Sequence, residues 1–158
     1  MCRFTADPRK FRVSAYRNRK WYWRGCVVAD LYSDSFAAPP YQVTVKAVDG
    51  FNLLSSVKYQ NLDGSNFTGR KSLWALISSC IDLLELDISV ADWMDLYAEG
   101  MSLTSSPLAQ TYIDMDRLYM VYNEPTYRDV LELCLRPFSG QMFQSNGALH
   151  IRRTVSLY

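Results

Sequence analysis

The sequence predicts an α+β fold. Three observations carry this. Apolar and polar residues alternate with period two over roughly 10–28 and over 41–49. Two apolar stripes recur at helical spacing, near 70–85 and 126–138. An Asn146-Gly147 pair joins two short alternating runs within 141–154. The architecture expected is a set of N-terminal antiparallel strands belonging to a split β-barrel or curved sheet, two amphipathic helices and a C-terminal β-hairpin. The chain divides into a β-rich portion over 1–60 and an α+β portion over 61–158, which also read as one continuous unit.

The first hairpin follows from Phe11, Val13 and Ala15, which alternate with Lys10, Arg12 and Ser14. Asn18-Arg19 supplies a turn, and Trp21, Trp23 and Val27 then alternate with Tyr22, Arg24 and Cys26. Trp21 and Trp23 lie two apart, so a regular strand points both to one side. They are expected to build the sheet core with Val43 and Val45. Pro39-Pro40 forbids a ladder in the loop 30–40. Over 41–49, Tyr41, Val43, Val45 and Ala47 form one face of a third strand, which Asp49-Gly50 ends. "FNLLSS" reads as a short helical turn and 63–69 as a polar loop. Gly25, Gly50 and Gly147 are expected where the chain turns or two backbones approach closely.

The helix over 70–85 carries Leu73, Leu76, Ile77, Cys80, Ile81 and Leu84 on one stripe. The stretch 86–123 is less regular: "SVADWMDLYAEGM" fits a strand followed by a helical turn, and "TSSPLAQ" a loop. The second helix is announced by Pro125 and by Thr126 with Asp129, the S/T-x-x-D/E capping pattern. Its stripe is Tyr127, Val130, Leu131, Cys134, Leu135 and Phe138. In the final hairpin, Met142 and Gln144 precede the turn, and Leu149 and Ile151 follow it.

Composition narrows the function classes. Hydrophobic residues make up 49% of the chain and charged residues 21%, which excludes disorder over most of its length. The net charge of +1 is polarised: residues 1–25 hold eight bases and one acid, the remainder nine bases and fifteen acids. A basic end of this kind seeks an acidic partner. No apolar run is long enough to span a bilayer, and Met1–Phe4 leads straight into charged sequence, so neither a membrane span nor a signal peptide is expected. Phe4 and the terminal "TVSLY" both read as strands without partners, as in a piece of a larger polypeptide or a subunit whose ends pair with neighbours.

Little in the sequence points to catalysis. The cysteines at 2, 26, 80 and 134 are too dispersed for a metal knuckle or a redox pair, and Cys80 and Cys134 fall on apolar helix faces. His150, the lone histidine, reads as a solvent-facing strand residue. "DGSNFTGRKS" lacks the G-K-[ST] ending of a phosphate loop. The acid pairs Asp92/Asp95, Asp129/Glu132 and Asp114/Asp116 share faces in polar surroundings, where nothing would desolvate one member for acid–base work. Catalytic, cofactor and metal residues are therefore assigned to none of these positions.

What remains is "YRNRKWYWRG", 16–25, where Arg17, Arg19, Lys20 and Arg24 interleave with aromatic rings. One reading is a nucleic-acid-binding module using 9–24, with cations on phosphates and rings on bases. The other buries the rings in a sheet and leaves the cations at the turn and on the outer face. A carbohydrate-binding module has only the Tyr and Trp content behind it, because the sequence predicts no exposed aromatic platform.

The order of short motifs resembles a segment of phage and prophage tail-tip and baseplate hub proteins. The matching features are Trp23, Gly25, Pro39, Pro40, Tyr41, Ala47, Asp49, Gly50 and Leu53, then a helix opening at Ser72-Leu73. Over 125–153, "PTYRDVLELCLRPFSGQMFQSNGALHIRR" is similar to a later unit of such proteins, a helix feeding a hairpin with a central Asn-Gly. The resemblance implies a non-catalytic virion structural protein of the tail, made in the bacterial host cytoplasm. It implies assembly with copies of itself in a ring, a trimer being favoured, and with neighbouring tail proteins, but no cofactor. Arg17, Arg19 and Lys20 at the hairpin tip become candidates for an intersubunit or tube-lining surface. Trp21, Trp23, Gly25, Asp49, Gly50, Asn146 and Gly147 become structural residues.

Overall fold

The computed structural model describes residues 10–28, 40 and 44–154. Helices and strands are mixed in an α+β arrangement, as the sequence predicts. Strands β1 (Arg12–Arg17) and β2 (Lys20–Val27) form an antiparallel hairpin. Its turn residues Asn18 and Arg19 have φ of 51° and 62°. Two successive positive φ angles match the right-handed strand twist, as a type I′ turn does.

Of the expected third strand, residues 44–49 are described, and two of them form a strand. Only β3 (Ala47–Val48) joins β2, through Cys26↔Val48 and Val27↔Ala47. Val28 N–H donates to Lys46 O at 3.0 Å just past the end of β2 at Val27. Val45 is 48% exposed rather than in a core. Tyr41, Val43, Pro39 and the chain ends lie outside the described residues.

Gly50, at φ 84°, opens a 3-10 turn over Phe51–Ser55, and the Asp49 carboxylate accepts the Phe51 N–H at 3.2 Å. Strand β4 (Arg70–Ser72) runs directly into helix α1 (Leu73–Leu84). Ser72 caps α1 by accepting the Ala75 N–H, and Glu85, at φ 51°, stops it. All six expected stripe residues of α1 are buried. Each Leu or Ile so removed from water contributes about 2 kcal/mol, well above any difference in helix propensity.

Between the two main helices lie β5 (Ser89–Trp93), the short α2 (Pro107–Gln110), β6 (Tyr112–Asp114) and α3 (Met115–Tyr122). The expected strand at 89–93 is present. The helical turn expected after it is absent, and part of the "TSSPLAQ" loop is α2, because Ser106 accepts the Leu108 N–H and Pro107 sits in the first turn. Helix α4 (Tyr127–Leu135) begins with the full capping box of Thr126 and Asp129 and tightens into a 3-10 turn over Arg136–Phe138. Strands β7 (Gly140–Ser145) and β8 (Ala148–Arg153) are the last described elements and form the predicted hairpin.

The described strands form three small sheets, ordered β1-β2-β3, β4-β6 and β5-β8-β7. None of these described sheets closes into a barrel, and helices pack around them. Ladders stop early where β4 and β6 pass straight into α1 and α3. Strand β5 pairs parallel with β8 across a long chain separation, a contact that local periodicity cannot reveal. Helices α1 and α4 pack on each other and on the turn over Phe51–Ser55. Leu76, Ile77, Cys80, Leu54, Cys134, Leu149 and Ile151 lie in one core that also takes in Cys26. Tyr59, from within 51–60, is 1% exposed in that core and donates its backbone N–H to Pro125 O at 2.7 Å. No helix among the described residues is long and apolar enough to cross a membrane.

Candidate functional site

The two hairpins meet at their turns. Asn146 and Gly147 have φ of 49° and 77°, the geometry the Asn-Gly pair favours. Gly147 N–H donates to Tyr22 O at 3.0 Å. A Cβ at Gly147 would lie 2.9 Å from Trp21 O, so close backbone approach and positive φ both require glycine there. One strand-step away, the Gln144 side-chain amide grips the backbone of Arg24. Its Oε1 accepts the Arg24 N–H, and its Nε2 donates to Arg24 O at 2.9 Å. A side chain thus makes the pair of bonds that a neighbouring strand would make.

The rings of Trp21 and Trp23 do not share a side. Ala15 faces Trp23 while Tyr16 faces Trp21, so Tyr22 is an extra residue and β2 carries a bulge. A bulge breaks the strict alternation on which the sequence expectation rested. Trp23 lies against Gly25, where an added Cβ would fall 2.2 Å from its ring and equally close to Val48 O. Trp21 lies with Arg24 instead, whose guanidinium stacks 4.1 Å from the indole centroid. Both tryptophans are half-buried. The Trp21 indole N–H is buried without a hydrogen-bond partner among the described residues.

Arg24 acts as an anchor. Its guanidinium donates to Leu86 O at 2.8 Å, Asp87 O at 3.1 Å and Ser14 Oγ at 3.2 Å, and lies 3.6 Å from the Asp87 carboxylate. Arg12 pairs with Glu85 at 3.4 Å. The cations at the far end differ. Arg17, Arg19 and Lys20 are exposed and have no carboxylate partner among the described residues; Arg17 has only the Tyr22 ring, at 6.0 Å. Arg17, Asn18, Lys20, Trp21, Tyr22 and Asn146 line an open groove of about 580 Å³. The structure therefore gathers Arg17, Lys20, Trp21, Asn146 and Gly147 at one junction. Arg19 stands at the turn apex beside it, whereas Asp49 and Gly50 serve the 3-10 turn elsewhere.

Other candidates resolve into structural roles. Asp92 lies on β5, not on a helix with Asp95; its carboxylate accepts from Ser106 Oγ and from Met94 N–H at 2.9 Å. Asp114 caps α3 by accepting the Asp116 N–H, so this pair shares no strand face. Cys80 and Cys134 are fully buried. Burial pushes both thiols upward, Cys134 to about 12, so neither presents a thiolate. Burial likewise raises the Tyr59 phenol to about 12. His150 alternates with the buried Leu149 and Ile151 on β8 and is half-buried on the solvent side: its Nδ1 accepts the Trp93 indole N–H at 3.3 Å, and Nε2 lies 2.9 Å from Ser145 O.

Gln144 was legible only as a residue before a turn, and nothing local marks its grip on a strand 120 positions away. Trp93 was hidden in the irregular stretch, although a Trp beside the alternating run of 89–93 is a usable signal for an exposed strand face. Compared with known protein families, with curated proteins and with solved structures, the chain matches none.

Proposed function

We propose that this chain is a non-catalytic assembly module, a structural component of a phage or prophage tail tip or baseplate hub. Its basic hairpin end docks on an acidic protein surface. The supporting observation is the contrast within one hairpin: Arg12 and Arg24 are paired with carboxylates of the body, while Arg17, Arg19 and Lys20 are left without any among the described residues. Over 10–28 there are six bases and no acid, and over 44–154 nine bases and thirteen acids. A second copy therefore offers the complementary sign, and head-to-tail contacts of this kind close into rings. A trimeric ring is the form proposed.

The docking of Gln144 and Gly147 on β2 holds the cationic tip in place, which reduces the ordering cost of association. The test is light scattering of the full chain across ionic strength, for the wild type and for the Arg17→Glu/Arg19→Glu/Lys20→Glu variant. Assembly that weakens with salt and is lost in the variant supports the proposal. Unchanged mass in the variant refutes it. Salt-dependent binding of an oligonucleotide without self-association would move the site to the nucleic-acid reading.

A further inference from the structure

The sheet β5-β8-β7 has one face on the core and one in solvent. Leu149 and Ile151 point inward and are fully buried. The alternate positions of the three strands lie on the outer face, where parallel pairing sets Ala91 beside His150 and Trp93 beside Arg152. Antiparallel pairing adds Phe143 beside His150 and Gln141 beside Arg152. This is an aromatic platform of the kind the sequence did not predict. The Trp93 indole is 65% exposed, yet it is pinned by its hydrogen bond to His150. An indole N–H only donates, so His150 Nδ1 accepts and the ring proton resides on Nε2, which donates to Ser145 O. Phe143 stacks on His150 at 5.5 Å, and the Arg152 guanidinium covers Phe143 at 4.7 Å.

We infer that this face binds a carboxylate-bearing oligosaccharide. A sugar ring has an apolar C–H face and hydroxyl edges. A flat, pre-oriented indole suits the first, and the side-chain amide of Gln141 suits the second. The outer positions carry no carboxylate, and their one full charge is the Arg152 fork, which matches a carboxylate in geometry and sign. One fixed cation serves a ligand with one acid per sugar. A nucleic-acid strand would call for several phosphate contacts. The site lies apart from the basic turn groove and does not depend on the assembly proposal.

The test is calorimetric titration of the full chain with oligomers of polygalacturonate, with a neutral oligomer of glucose and with an oligothymidylate. The acidic oligomer is expected to bind, and Trp93→Ala and Arg152→Gln are each expected to weaken it about tenfold or more. Both residues are exposed, and unchanged circular dichroism checks the fold of each variant. The Arg17→Glu/Arg19→Glu/Lys20→Glu variant should bind the sugar as the wild type does, whatever becomes of its assembly. Absence of binding, equal affinity for the neutral oligomer, or Trp93-dependent binding of the oligothymidylate instead would each overturn the inference.

Discussion

Replacing Gln144 by alanine should loosen the contact between the two hairpins without touching either turn, leaving the Gly147 N–H bond to Tyr22 O in place. The side chain supplies both bonds to the Arg24 backbone, one accepted by Oε1 and one donated by Nε2 at 2.9 Å. Each such bond contributes about 1 kcal/mol net, and the Arg24 N–H and C=O are partly buried and lose their partners together. Water entering the vacated space recovers part of the loss, so the expected destabilisation is about 2 kcal/mol. Urea unfolding should show a lower midpoint with an unchanged slope, because the surface exposed on unfolding is the same. Amide exchange should localise the effect, with protection of Tyr22 to Arg24 falling more than that of α1. A loss under about 0.5 kcal/mol, or exchange accelerated equally in α1, would refute the idea that one side chain substitutes for a strand at this junction.

Two further outcomes follow from local geometry. Arg19→Gly should stabilise the fold by about 0.5–1 kcal/mol, because φ of 62° is strained for any residue with a Cβ and glycine's unfolded-state entropy offsets only part of that relief; a lower melting temperature would contradict it. Asp129→Ala should cost about 1 kcal/mol at neutral pH through loss of the α4 capping box. The Thr126 hydroxyl and then its backbone N–H hold the Asp129 carboxyl below its ordinary 3.8, so the carboxylate's contribution is full above that value and disappears as pH falls through the lower folded one. Wild type and variant should therefore draw together in stability as pH falls below 3.8, and a gap that persists undiminished would show that charge and capping are not the source.

Features that depend on neighbours along the chain are readable without the fold. Both long helices could be read from the sequence because their stripes and caps are local: Leu73 to Leu84 with Ser72, and Tyr127 to Leu135 with Thr126 and Asp129. Both hairpins were legible because Asn18, Asn146 and Gly147 favour the positive φ that tight turns demand. Tertiary structure decided everything that required a partner distant in sequence. The run 41–49 has strand alternation, yet of its described residues only Ala47 and Val48 form β3, where they meet Val27 and Cys26 of β2. The insertion of Tyr22 as a bulge put Trp21 with Arg24 and Trp23 with Gly25, and no count of alternating residues contains that extra position. The parallel placement of β5 beside β8 brought Trp93 to His150, and the docking of the last turn on the first hairpin brought Asn146 to Arg17 and Lys20. Local periodicity fixes which face of an element is apolar. Which element meets that face is set by burial and hydrogen-bond satisfaction across the whole chain.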